Sequence, residues 1–231
     1  MSLNDRSYLS DQVLSHGGAA ALGSAESRKV LRNTYMLLAM TLAFSAVVAG
    51  VSAAMGLPHP GIILTLIGYF GLLFAVSKFR DSALGVGLVF ALTGFMGYTL
   101  GPIINRYLSL PNGGEIVMMA MAGTAVIFFA MSAIALTSKR DFSFMGNFLL
   151  VGMIVAFLAG LAAIFFEMPL LSLVVSAAFV LLMSGLILYE TNAIIQGGET
   201  NYVMATVSLF VSIYNLFTSL LHLLGVFGGD E

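Results

Sequence analysis

The 231-residue chain has no cysteine, which excludes disulfides, thiolate chemistry and cysteine metal ligands together. Its three histidines, His16, His59 and His222, are scattered without the close spacing that a metal site needs. Charge is nearly as scarce. Only 9% of residues are charged, against roughly 25% in a soluble domain, and a net charge of −2 leaves no basic surface for nucleic acid. No GxSxG, HExxH, P-loop or dinucleotide fingerprint occurs. Proteolysis of the aspartyl type needs a pair of buried acids, and only Glu190 lies well inside an apolar run. A serine protease within the membrane would need an activated serine facing a histidine. Ser184 and His222 are the pair to nominate, yet one falls mid-run and the other near an end. Nothing here points to an enzyme, and no cofactor is implied.

What the chain does have is apolar surface. Hydrophobic residues make up 59% of it and the mean hydropathy is +1.02, more than a soluble fold of this size could hide. The solvent is therefore a lipid bilayer. Charge-free runs cover 33–77, 82–105, 116–138, 142–166, 168–189 and 200–229. The first is about twice the ~20 residues that one helix needs, and "GLPHPG" at 56–61 breaks it. The pattern predicts an all-α integral membrane protein with spans at 35–55, 61–77, 83–104, 116–136, 144–166, 170–195 and 202–227. Residues 1–34 read as a mostly disordered tail rich in Ser, Gly and Ala, 35–227 as the membrane domain, and 228–231 as a short C-terminal end. A signal peptide is not expected, because the first apolar stretch is long enough to remain as a span.

Basic residues set the orientation. With seven spans, the tail and the loops near 78–82, 137–143 and 196–201 share one side. That side carries Arg6, Arg28, Lys29, Arg32, Lys78, Arg80, Lys139 and Arg140, and the other carries Arg106 alone. The positive-inside rule then predicts a cytoplasmic N-terminus and an external C-terminus.

Two patterns stand out within the spans. In the last, Ser208, Ser212, Asn215, Ser219 and His222 are spaced by four and three residues, which draws one polar stripe along a helix. Polar groups facing lipid are costly, so the stripe should face protein or a water-filled cavity. Interhelical hydrogen bonding explains it better than a conduction path, and His222 reads as a satisfied packing residue. Elsewhere Gly94, Gly97 and Gly101 share a face of the third span, and Gly152, Ala156 and Gly160 share one of the fifth. Such small faces let backbones approach closely. Glu190, in "LILYETNAII", is about six residues from the end of its span. An ionised carboxylate at that depth costs several kcal/mol unless it meets water or donors. Depth counting offers Ser208 as its partner.

"GYTLGPIINRYL" (97–108) and "AMAGTAVIFFAMSA" (120–133) resemble the transmembrane Bax-inhibitor-motif family, with a Gly–Pro closing the third span. "LILYETNAII" and "SLFVSIYNLFTSLL" are similar to its sixth and seventh spans, and the likeness runs from Arg28 to Gly225. It is strongest to the bacterial branch that modulates the FtsH protease. The resemblance implies a seven-helix fold whose last helix is central and is wrapped by the first six as hairpins. It implies residence in the bacterial cytoplasmic membrane and binding to FtsH and its HflK/HflC partners, with the N-terminal tail as the engaged segment. Other members are pH-sensitive calcium leak channels closed by two hydrogen-bonded aspartates. Alignment places Glu190 at the first aspartate, Ser212 at the second and Asn215 on a family asparagine, so the pair here is Glu–Ser. Glu190, Ser212, Asn215 and Ser208 are thus the candidates for an intramembrane latch or a pH-sensing group.

Overall fold

The computed structural model describes residues 3–138 and 140–228, those before residue 25 by their helical backbone alone. Among the described residues seven helices follow one another: α1 (Leu3–Ala54), α2 (Ile62–Phe79), α3 (Ala83–Leu108), α4 (Gly113–Thr137), α5 (Met145–Phe165), α6 (Pro169–Ile195) and α7 (Tyr202–Gly228). Each holds a stretch long and apolar enough to cross a membrane, Ala25–Ala54 in the case of α1. The described chain is an all-α, multi-pass membrane protein.

Helix α1 extends N-terminal to the apolar stretch expected to cross the membrane. Arg28, Lys29 and Arg32 already lie on α1, because Ala, Glu, Lys, Arg and Leu all favour helix and the bundle holds the helix beyond them. Thr34 is fully buried, and the Thr206 hydroxyl donates to its carbonyl at 3.3 Å. The disordered tail expected for 1–34 falls mainly on residues 1–24, outside the fully described ones. The break at 56–61 is where it was expected. Gly56 ends α1 at φ +60°, while the Leu57 amide bonds the Ser52 carbonyl at 3.0 Å, a Schellman closure.

Pro102 does not close the third span. It sits inside α3, which continues to Leu108. A proline ring has no N–H for the carbonyl four residues back, here that of Tyr98. The Ser52 hydroxyl of α1 donates to that carbonyl instead, at 3.0 Å. Gly101 makes room for it, since a Cβ there would lie 2.4 Å from the Ser52 oxygen. Likewise a Cβ on Gly97 would lie 2.4 Å from the Ser45 carbonyl, so the small face of α3 is the seat of α1. On α5, a Cβ at Gly152 would meet Leu182 of α6.

Helix α7 is the centre, packing on α1, α2, α3, α4 and α6. The wrap by hairpins is incomplete. α1 packs on α3 and not on α2, and the α5 backbone comes close to that of α6 alone, reaching α2 only through the Phe157 and Phe70 rings. The core runs through Leu92, Met96, Met183, Ile187, Leu209, Phe210 and Leu216.

At one end of the bundle the two basic loops are tied to the 196–201 turn and to α6. Asn201 caps α7 by accepting from the amides of Val203 and Met204, both at 3.0 Å. Its amide donates to Asp81 at 2.7 Å, which joins the 196–201 turn to the α2–α3 turn. Asn192, only 2% exposed, accepts from the Phe142 amide at 3.0 Å and donates to the Arg140 carbonyl at 3.2 Å. Within that loop Asp141 accepts from the hydroxyl and amide of Ser143, which holds its carboxyl below the usual carboxylate range. A lowered value means that this contact is present at neutral pH and is lost as pH falls through it. Replacing Asn192 with alanine should cost about 1–3 kcal/mol, because the loop's backbone groups lose their partner at a buried site. Thermal unfolding in detergent measures the loss, and faster cleavage at Arg140 by trypsin shows the loop released.

Candidate functional site

The polar stripe of α7 faces protein. Ser212 is 2% exposed and Ser219 is 7%, while the apolar residues beside them fill the core. The Ser212 hydroxyl donates to the Glu190 carboxylate of α6 at 3.2 Å. Counting residues from the 196–201 turn puts Ser212 about 6 Å deeper than Glu190. The direction of side chains on antiparallel helices closes that gap. Every side chain leans toward its own helix N-terminus, so Glu190 leans deeper into the membrane and Ser212 leans back toward the turn.

The other two candidates lie elsewhere. Asn215 donates to the Val211 carbonyl of its own helix at 2.9 Å and lines a cleft between the helices. Ser208, the choice from depth counting, has no bond to Glu190 among the described residues; the lean of the two side chains carries the carboxylate past it. Glu190 as a whole residue is half-buried.

A second tie joins the same two helices near the opposite end. The Ser176 hydroxyl and His222 Nδ1 are 2.8 Å apart. Ser184 donates to the Val180 carbonyl of its own helix at 2.6 Å. Ser184 and His222 are therefore each engaged elsewhere, and the serine-protease pairing has no support in the geometry. Among the described residues no three His, Asp or Glu side chains gather as metal ligands.

Three ties escape a reading of the sequence. Thr99 of α3 and Tyr214 of α7 share a hydrogen bond of 3.2 Å, and Tyr35 of α1 and Thr191 of α6 share one of 3.3 Å. Asn192 is the third. A signal for two of them is present, since "ETN" at 190–192 sets three polar residues on successive faces of one apolar helix. Such a cluster implies partners on more than one side.

Seven apolar helices held by a hydrogen-bonded seam between α6 and α7 define a polytopic membrane protein with a packed, partly polar core. The chain belongs to the Bax1-I family, described as inhibitor of apoptosis-promoting Bax1, whose model matches residues 27–229. It is 52% identical to the modulator of FtsH protease YccA of Escherichia coli K12, over 88% of this chain and 93% of that protein. An uncharacterised protein of Pseudomonas aeruginosa is 56% identical over 90% of this chain and 95% of its own length. Another from Campylobacter jejuni is 34% identical over 98% of this chain and 99% of its own.

Proposed function

We propose that this chain is a modulator of the ATP-dependent membrane protease FtsH, acting as inhibitor, as substrate or as both, in the bacterial inner membrane. One observation carries the reading: a protein named for that role matches it at 52% identity along nearly the whole of both chains. The geometry agrees with a regulatory body, since Glu190, Ser212, Ser176 and His222 are engaged in ties between α6 and α7. Orientation in this reading is N-terminus cytoplasmic and C-terminus periplasmic. The basic loops at 80–82 and 138–144 are tied to α7 and α6 at the same end as the start of α7, which groups their charges on one face. FtsH with HflK/HflC is the partner complex.

The N-terminal tail is the segment engaged. A processive ATPase needs a stretch that unwinds cheaply, and Gly17, Gly18 and Gly23 each weaken a helix by about 1 kcal/mol relative to alanine. Deleting residues 2–24 should lengthen the half-life severalfold in cells that contain FtsH while the spans stay folded. Decay as fast as that of the full chain would remove the tail from the mechanism. Failure of the full chain to co-purify with a cleavage-dead FtsH from native membranes would remove the modulator reading itself.

A second reading is a calcium leak channel. The observation favouring it is the contact of Glu190 with Ser212, at the positions of the family's acid pair.

A further inference from the structure

Helices α2 and α5 flank a gap. Their backbones do not approach, and an edge-to-face pair of Phe70 and Phe157, 6.1 Å between centroids, spans the space between them. Both rings are partly exposed, 49% and 37%, so the surrounding bilayer reaches them. Behind them is a cleft of about 430 Å³, within the usual size range of small-molecule sites. Residue counting places it at mid-membrane: Tyr69 and Phe70 on α2, Met153 and Phe157 on α5, and Tyr214 and Asn215 on α7 all lie near the middle of their helices.

The lining is unusual for a space between lipid-facing helices. Six aromatic rings line it, Tyr69, Phe70, Phe95, Phe157, Phe179 and Tyr214, beside aliphatic and methionine side chains. The floor carries oxygen groups. Tyr214 and Thr99 are bonded to each other, and Thr99 is 2% exposed. Asn215 spends one amide N–H on Val211, which leaves its second N–H to donate. The Tyr69 phenol can donate. No Lys, Arg, Asp or Glu lines the cleft. The walls are fixed, since a Cβ on Gly68 would strike the Phe95 ring at 2.5 Å and close α2–α3 packing holds that side.

A water-filled interior is disfavoured by this apolar lining, and a simple acyl chain would leave the floor's hydrogen-bonding groups unused at a depth where they are costly. We propose that the cleft binds an uncharged lipid-soluble molecule whose flat ring carries carbonyl or hydroxyl oxygens, of the quinone class, which enters from the bilayer between α2 and α5. The ring stacks among Phe95, Phe179 and Tyr214, its oxygens accept from the Tyr69 phenol and from the second amide N–H of Asn215, and its tail leaves past Phe70 and Phe157. This site is independent of the protease reading, which rests on the tail and on whole-chain similarity.

The chain has no tryptophan, so one placed at Phe179 is a clean reporter. Purified Phe179→Trp protein in phosphatidylcholine vesicles is titrated with decylubiquinone, whose ring quenches indole fluorescence. Phe148→Trp, on the lipid-facing side at 72% exposure, is the reference. Quenching at Phe179→Trp should saturate, and that at Phe148→Trp should rise linearly with quinone in the lipid. Adding Tyr69→Phe and Asn215→Leu together should weaken the saturating phase about tenfold, the scale of one or two lost hydrogen bonds. A parallel measurement on the unaltered chain keeps the test valid if Phe179→Trp fails to fold: decylubiquinone should raise the melting temperature and decanol should not. Linear quenching at both positions, or equal stabilisation by decanol, overturns the proposal and leaves a cleft filled by acyl chains.

Discussion

Leucine in place of Gly97 should stop the protein accumulating in the membrane. Even a Cβ at this position would lie 2.4 Å from the Ser45 carbonyl oxygen and 2.9 Å from the Ser45 hydroxyl. The first obstacle is backbone on a neighbouring helix, which no rotamer change can move. Helices α1 and α3 must then separate, and overpacking of this kind costs about 1–3 kcal/mol or more before any further loss. Separation also withdraws Ser52 from the Tyr98 carbonyl that Pro102 leaves without a helical partner. In lipid there is no water to replace that bond. The sum is a large share of a typical folding free energy. Gly87 lies on the same helix, where a Cβ would meet nothing within 4 Å, and serves as the control. Membrane levels and the detergent melting temperature should be near normal for Gly87→Leu and lost for Gly97→Leu. A folded Gly97→Leu protein with an unchanged melting temperature would mean that α1 and α3 do not meet at this face.

The order and number of the helices are legible in the sequence because a bilayer imposes the simplest rule in folding: about 20 apolar residues per crossing, with polar residues between. Pro102 misleads for a physical reason. Taken alone, a proline signals an end, and its repair by Ser52 comes from another helix at a sequence distance that no local pattern reveals. Hydropathy marks the apolar part of α1 and is silent on its extension, since charged helix formers such as Arg28 and Lys29 continue the same helix.

The candidate site is half legible. Stripe spacing identifies the face of α7 that meets protein, and family alignment pairs Glu190 with Ser212, which the geometry brings into contact. Depth counting chooses Ser208, because it measures Cα positions and ignores the opposite lean of side chains on antiparallel helices. The cleft between α2 and α5 is not legible at all. It depends on two helices remaining apart, whereas hydrophobic patterns report only which residues avoid water.

Converting Ser212 to aspartate should make the α6–α7 seam sensitive to pH. The Ser212 oxygen is 3.2 Å from the Glu190 carboxylate, so the substitution sets two carboxyl groups in contact. Such a pair holds while it shares a proton and repels once both groups are ionised. At this separation the repulsion is roughly 4–5 kcal/mol for an effective dielectric constant near 20. Stability of Ser212→Asp should therefore fall by several kcal/mol as pH rises through the second ionisation. Ser212→Asn has the same shape and lacks the second charge, so it should not show that fall. Thermal unfolding across pH 5 to 9 (a range of about four units, chosen around the usual carboxyl and histidine values) compares the two. Parallel curves would mean that the residues do not meet. Calcium flux in proteoliposomes decides between the two functional readings with a different substitution. Glu190→Gln keeps an acceptor for Ser212 and cannot ionise. Under the modulator reading neither the wild type nor Glu190→Gln leaks calcium in a pH-dependent manner, and both still slow FtsH. A wild-type leak that varies with pH and is abolished or fixed by Glu190→Gln would make the seam a gate, and the channel reading would replace the modulator.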